Sequence, residues 1–399
     1  MSYTYNNEIR FERNEQLDSF GRLRVSDLTT YFDSPLKHHE EIYIWDTKIS
    51  GSATSTYSTS ETMLINTVSN NGDSVKRQTK EYFQLQNGKS HFGFIGVVMG
   101  SPEANVTKSC GLYNDSNGFI FKQKSDGTYS LSVRTSITGS ITESEISQSN
   151  WNIDTLDGNG PSGLDVDFSK LQVLYLDLSY SGNGNLRFGV MVDNKIVLAH
   201  SFTSFNLYET GSFTTPSLPI TYEITSTGGE STLKQQSCCI LVEGDYNKRG
   251  IPRSVNTGPE PVEVDGETKP MISLRLKSQY RKSIIIPDHY SILHTSSKST
   301  IFYEIYMFGS LTGASWNDSQ SGTNSIAEYD VSATSLTGGV LIDSGYIPPN
   351  TTNTVNRKIE NILKLSGDID GNTDIITIII TNLDKKAPCY VALNYYEVY

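Results

Sequence analysis

The chain has 399 residues and a formal net charge of −12, a length that allows two or three domains, each able to bury a core. Only 19% of residues are charged and 23 are Tyr, which excludes a disordered chain, since those are charge-rich and poor in aromatics. The acidic balance argues against a dedicated nucleic-acid binder, which needs a basic surface to displace phosphate counterions.

Residues 1–35 read as an extended N-terminal arm, because charges and aromatics mix there without a sustained period. The opening MSYTYNNEIRFERNEQ has no apolar core segment, so no secretory leader is expected. From residue 36 the pattern is that of strands. Glu41–Asp46 is rich in β-branched and aromatic residues. Ser50–Ser60 is a Gly/Ser/Thr-rich loop or edge strand, Lys80–Gln86 alternates briefly, and His91–Met99 is apolar enough for a buried strand. Ser125-Asp126-Gly127 lies between Gly118–Gln123 and Tyr129–Arg134, and Asp-Gly between two such runs predicts a hairpin. Asp193-Asn194-Lys195, between Val190–Val192 and Ile196–His200, predicts a second one. Leu171–Leu178 and Leu186–Val190 flank the glycine turn 181–184.

The proline- and glycine-bearing stretch 246–265 reads as a linker. A second strand-rich block follows, with runs at Met271–Leu276, Ser283–Ile286, Ile301–Phe308, Val340–Ile342, Ile375–Thr381 and Tyr390–Tyr399. No window shows helical periodicity over three turns, although single turns are possible at Asp167–Lys170 and at 353–359. No fixed repeat is visible. Turn signals recur at roughly 8–12 residues, as in sandwiches and barrels. The expected fold is all-β: two antiparallel β-sandwich domains of jelly-roll type, at 36–245 and 266–399, preceded by the arm.

Chemistry-bearing motifs are sparse. The chain lacks G-x-S-x-G, H-E-x-x-H and G-x-x-x-x-G-K-[ST] patterns, so no catalytic residue is assigned and a non-enzymatic chain is expected. His38-His39 lies beside Glu40-Glu41, but neighbours on a strand point to opposite faces and chelate one ion poorly. Asp288, His289 and His294 follow Pro287 around a turn, where local hydrogen bonding explains them. Gly367–Asp374 alternates oxygen side chains as a Ca²⁺ loop does, yet its glycine spacing fails the EF-hand pattern. A polar turn accounts for it, and no metal or cofactor is expected. Cys110, Cys238, Cys239 and Cys389 lack zinc or redox spacing, which suits reduced thiols in a protein made in a cytoplasm. The apolar run Ile375–Ile380 is too short to cross a bilayer.

Carbohydrate binding has more support, because aromatic rings can stack on sugar rings beside Asp and Asn. Trp45, Trp151 and Trp316 are the candidate glycan contacts. Trp151-Asn152-Ile153-Asp154 and Trp316-Asn317-Asp318 each put a Trp beside Asn and Asp in loop-like sequence. The competing reading is that each Trp anchors its loop to the core. Exposure decides between them: a glycan role needs at least one Trp exposed beside polar groups.

The segments Asp18–Ser26, Tyr31–Ser34 and Arg77–Ser90 resemble virion structural proteins of tailed bacteriophages. So do Leu186–Val190, Thr215–Ile224, Leu311–Trp316 and Glu328–Asp330, which spreads the resemblance over most of the chain. It implies a subunit of a symmetric particle, as a capsid decoration, neck, tail or fibre component, assembled in a host cytoplasm. Partners would be further copies, other virion proteins and, for a receptor-binding fibre, a host-surface glycan, with neither membrane nor direct nucleic-acid contact. In such a particle Phe20, Leu23 and Val25 would dock on a neighbour while Arg22 and Arg24 pair with its acidic surface. The alternative is a carbohydrate-binding protein as the primary role.

Overall fold

A computed structural model describes residues 17–18, 22–179, 185–203, 209, 211, 213–215, 217–245, 250–319, 324–349, 355–359, 364–384 and 386–399. The fold is all-β: antiparallel sheets joined by turns, with only two 3-10 turns, Gln148–Asn150 and Ser278–Tyr280, among the described residues. No helix among them is long and apolar enough to cross a membrane. The chain forms two compact units, residues 1–79 with 83–247, and residues 80–82 with 248–399.

The first unit is a sandwich of two large sheets. One runs in the order Lys195–Phe202, Leu186–Val192, Leu171–Ser179, Ser90–Val98, Ser231–Glu243, Met63–Val68, Thr54–Ser58, with Leu28–Ser34 also paired to Ser231–Glu243. The other runs Thr142–Ser147, Tyr129–Thr135, Gly118–Gln123, Val106–Tyr113, Ile220–Ser226, Ser74–Thr79, Trp45–Ser50. Their inner faces share one core that includes Ile95, Val97, Leu112, Phe121, Leu176, Phe188, Tyr222 and Ile240. The period-2 alternation of strands puts Ile95 and Val97 on that face. At about 25 cal/mol per Å² of apolar area removed from water, such a core is the main stabilising term. Gly96 points the other way, and a Cβ there would meet the Ser237 carbonyl oxygen at 2.7 Å. This is where Ser231–Glu243 bulges between Gln235 and Cys238, so the close approach requires glycine.

The second unit packs a five-stranded sheet on a six-stranded one. In the first, Ala387–Val398 lies between Ile251–Asn256 and Ile284–His294, which in turn pairs with Val355–Lys358; Val262–Val264 also pairs with Ala387–Val398. The second runs Asn317–Asp318, Ala327–Asp330, Thr268–Leu276, Ile375–Asn382, Ile301–Met307, Val340–Ile347. Ile376, Ile378 and Ile380 face the core between them with Ile292, Leu393 and Tyr395.

Both predicted hairpins form. Asp193 and Asn194 take φ of 48° and 60°, and Val192 faces Lys195 across the turn, the left-handed pair that suits the twist of a two-residue hairpin. Gly127 closes the other at φ 85°, with the Thr128 amide donating to Asp126 Oδ1 at 2.9 Å. The glycine turn 181–184 lies outside the described residues.

Elsewhere tertiary pairing overrides local pattern. Residues 42–44 form a turn, and the strand starts only at Trp45. The arm ends earlier than its composition suggests, because Leu28–Ser34 is a sheet strand. Much of the stretch read as a linker is strand, with Ile251–Asn256 and Val262–Val264 on one edge of Ala387–Val398. Proline is tolerated there because an edge strand needs no donor on its outer side. Asp288 and His289 lie on the long strand Ile284–His294 at a bulge, not in a turn. Val355–Lys358 is a strand rather than a helical turn.

Candidate functional site

Two of the three tryptophans belong to the core. Trp45 is 2% exposed and donates its indole N–H to Ser34 Oγ at 2.9 Å, with the Arg77 guanidinium 5.1 Å from its ring. Trp151 is 5% exposed and packs edge-on against Phe188 at 5.5 Å. Both anchor their segments, which corrects the expectation that they touch a glycan: their ring faces are covered by protein.

Trp316 differs. It is half-buried, and Ser315, Asn317 and Asp318 beside it are exposed. The Arg275 guanidinium lies 3.9 Å from the ring centroid, a cation–π contact, and Arg275 Nε donates to Glu328 Oε1 at 2.7 Å. Register explains the grouping. Arg275 stands opposite Glu328, and Glu328 opposite Asp318, so three strands present one polar row beside the indole. Lys277 pairs with Asp318 at 2.7 Å and donates to the Ser325 carbonyl at 2.9 Å.

The loop carrying Trp316 is held from below. Asp330, 1% exposed, accepts from the Ser315 amide at 2.7 Å, the Ser332 hydroxyl at 2.6 Å and the Ala333 amide at 2.9 Å. A buried carboxylate with that many charge-assisted bonds fixes both loop segments. The surface thus combines a rigidly supported, part-exposed indole with an amide, two carboxylates and two cations. Such a set can stack on a ring and hydrogen-bond its hydroxyls. Trp316-Asn317-Asp318 was legible in the sequence. Nothing in the sequence tied Arg275, Lys277 or Glu328 to it, because only strand register brings them to the tryptophan.

The assembly-arm residues are placed differently from expectation. Arg24 donates to Asp177 Oδ2 at 2.5 Å and to the Leu17 carbonyl at 3.0 Å, and its guanidinium lies 4.2 Å from the Phe92 ring centroid. Arg187 Nε reaches the same Asp177 oxygen at 3.0 Å, and Ser90 Oγ donates to Asp177 Oδ1 at 2.6 Å. Arg22 Nε donates to Asp18 Oδ2 at 2.6 Å. Both arginines therefore pair with acids of their own chain, which corrects the idea that they meet a neighbour's acidic surface. Leu23 and Val25 are 48% and 81% exposed. Phe20 lies outside the described residues.

Oxygen-rich and nitrogen-rich motifs are satisfied locally. Asp368 accepts from the Asn372 amide at 2.7 Å and side chain at 2.8 Å, while Asp374 accepts from Ser366 Oγ at 2.9 Å and pairs with Lys80 at 3.0 Å. This is a polar turn. Burial nevertheless holds the Asp374 carboxyl above its usual range, against the pull of Lys80. His39 Nδ1 accepts from the Glu41 amide at 2.9 Å, and Glu41 accepts from Ser34 Oγ at 2.5 Å and the Leu36 amide at 3.2 Å. Among the described residues no three His, Cys, Asp or Glu side chains group to hold a metal ion. The four cysteines are free thiols, and only Cys239 is not fully buried.

No family model matches the chain, and no curated protein does. Among solved structures, one similar to it is described as a glycosyl hydrolase family protein from Mycobacterium fortuitum. It has a TM-score of 0.37 and 8% identity, covering 53% of this chain and 99% of that one. The Crh5 transglycosylase aligns with a TM-score of 0.34 and 10% identity, over 58% of this chain and 88% of that one. The carbohydrate recognition domain of Emp47p aligns with a TM-score of 0.34 and 13% identity, over 55% of this chain and 100% of that one. Hydrolases and transglycosylases stand among the similar structures, so the expectation of a non-enzymatic chain is withdrawn. At such TM-scores and identities the likeness is one of broad β architecture, and it assigns no activity, substrate or residue.

Proposed function

We propose that the chain is a carbohydrate-binding protein whose second unit presents Trp316 to a sugar ring. The carrying observation is that Trp316 alone of the three tryptophans is part-exposed beside exposed Asn317 and Asp318, on a loop fixed by buried Asp330. A pyranose has apolar C–H faces and a rim of hydroxyls, so it suits an aromatic surface flanked by amide and carboxylate groups. The Arg275 contact steadies the indole and, together with Glu328, adds donor and acceptor at the edge. Pre-organisation of this kind lowers the cost of ordering side chains on binding.

The test is a titration of the purified chain with cello-, laminari-, malto- and chito-hexaose, followed by indole fluorescence. Trp45 and Trp151 are buried, so a saturable change reports Trp316. The expected result is a saturable change with at least one saccharide, and an affinity for it, measured by calorimetry, that Trp316→Ala lowers by about tenfold or more. No saccharide response in the wild-type chain sinks the reading.

A second reading, a subunit of a symmetric virus particle, is favoured by the adjacent exposed apolar side chains Leu23 and Val25. Exposed residues of this kind on a docked N-terminal segment suit burial against another copy or another particle protein. The two readings are compatible in a protein that attaches a particle to a glycosylated surface.

A further inference from the structure

The outer face of the five-stranded sheet in the second unit carries a depression of about 500 Å³, lined among others by Pro252, Ser254, Asp288, Asn394 and Tyr396. Strand register builds it in two rows. Tyr396 stands opposite Pro252, and Asn394 stands between Ser254 and His289. Alternation along Ala387–Val398 turns Leu393 and Tyr395 into the core and leaves Asn394 and Tyr396 exposed, the latter by 38%. The bulge between Pro287 and His289 takes Asp288 out of the ladder, and bulges of this type re-aim side chains. The redirected carboxylate lines the depression, with its Oδ2 2.6 Å from His289 Nδ1. Arg253, the cation at the rim, is tied to Glu397 at 3.3 Å.

We infer that this depression is a second saccharide site, for a neutral pyranose that stacks on Tyr396 and hydrogen-bonds Asp288, Asn394 and Ser254. The inference rests on the carbohydrate-binding reading of the chain and adds a site on the opposite sheet from Trp316. The lining selects the ligand class. An anion would meet the Asp288 carboxylate, with the rim arginine already paired. A wholly apolar ligand would strip water from Asp288, Asn394 and Ser254 without replacing their hydrogen bonds. A neutral polyol ring with one apolar face meets both demands. Its affinity is expected to be modest, because the depression is open to solvent.

Saturation-transfer NMR with the same four hexaoses tests this on the full chain, comparing wild type, Trp316→Ala, Tyr396→Ala and the double variant, each checked for an unchanged unfolding midpoint. Asp288→Asn, nearly isosteric, stands in if Tyr396→Ala fails to fold. Transfer that persists in Trp316→Ala, and weakens by about tenfold when Tyr396→Ala is added, supports the second site. Transfer abolished by Trp316→Ala alone overturns it while leaving the Trp316 reading intact. Transfer lost in Tyr396→Ala but unchanged in Trp316→Ala supports this site and overturns the Trp316 one. Transfer as strong in the double variant as in Trp316→Ala, or absent from the wild type, overturns it.

Discussion

His91 is 1% exposed, and its Nε2 accepts a hydrogen bond from the Gln86 amide at 3.1 Å, so the ring is neutral in the folded chain. Burial pushes its pKa down to about 4. Between that value and the unfolded value near 6.5 the unfolded chain binds the extra proton, so stability falls as pH drops through this window. The loss approaches about 3 kcal/mol at the acid end. Urea midpoints at pH 7.5 and 4.5 should show it, and His91→Gln should flatten that part of the profile. Asp73 acts lower on the scale. Backbone donors at Ser69, Ser52 and Asn70 hold its carboxyl near 2, so its contribution is present above about 4 and lost toward pH 2. The buried thiols make a separate prediction. Burial raises Cys110, Cys238 and Cys389 well above the ordinary thiol range, so a thiol reagent should modify at most Cys239 in the native chain and all four after denaturation. Of the residues singled out in the sequence, Trp316 kept its candidate role because a polar loop carried it outward. Trp151 sits in similarly polar, loop-like sequence beside Asn152 and Asp154, yet its ring is buried against Phe188, and no local pattern distinguishes the two.

At the scale of elements, the hairpin at Asp193-Asn194 is held by two residues with positive φ. Replacing both with Ala should lower stability by about 2 kcal/mol, since Ala lacks the tolerance of Asx residues for that region. Asn194→Gly should be neutral or slightly stabilising, as thermal unfolding will show. The Trp316 loop depends on Asp330 in the same way. Asp330→Ala removes the acceptor from four donors at once, the amides of Ser315, Ser332 and Ala333 and the Ser332 hydroxyl, and should cost about 2 kcal/mol or more, with a saccharide response reduced even though Trp316 is unchanged. Hairpins were readable because turn chemistry is local. The strands at Leu28–Ser34, Ile251–Asn256 and Val262–Val264 were not, because edge strands are specified by the partner they pair with and their own sequences are weakly apolar.

On the scale of the whole molecule, the N-terminal segment is part of the first unit through Arg24 and Asp177. Arg24→Ala should destabilise that unit by about 2 kcal/mol, less than for a fully orphaned buried charge because Arg187 and Ser90 still hold Asp177. Chemical unfolding compared with wild type checks it. Removal of the chain before Asp27 should reproduce that loss while leaving the strand Leu28–Ser34 paired. If the chain assembles with copies or with particle proteins, Leu23→Ser with Val25→Ser should lower the mass measured by light scattering, or the amount retained on particles, without shifting the unfolding midpoint.

Composition, turn spacing and the absence of helical periodicity determined the all-β class and the sandwich architecture, because strand alternation and turn chemistry are written within a few residues of one another. What the sequence left open, tertiary structure decided: which tryptophan stays at the surface, which cations join it, and which acid each arm arginine meets. Those outcomes depend on the register of strands distant in sequence, such as Thr268–Leu276 against Ala327–Asp330 and Ile284–His294 against Ala387–Val398. Register is a property of two strands and the core they share, and no single stretch of sequence contains it.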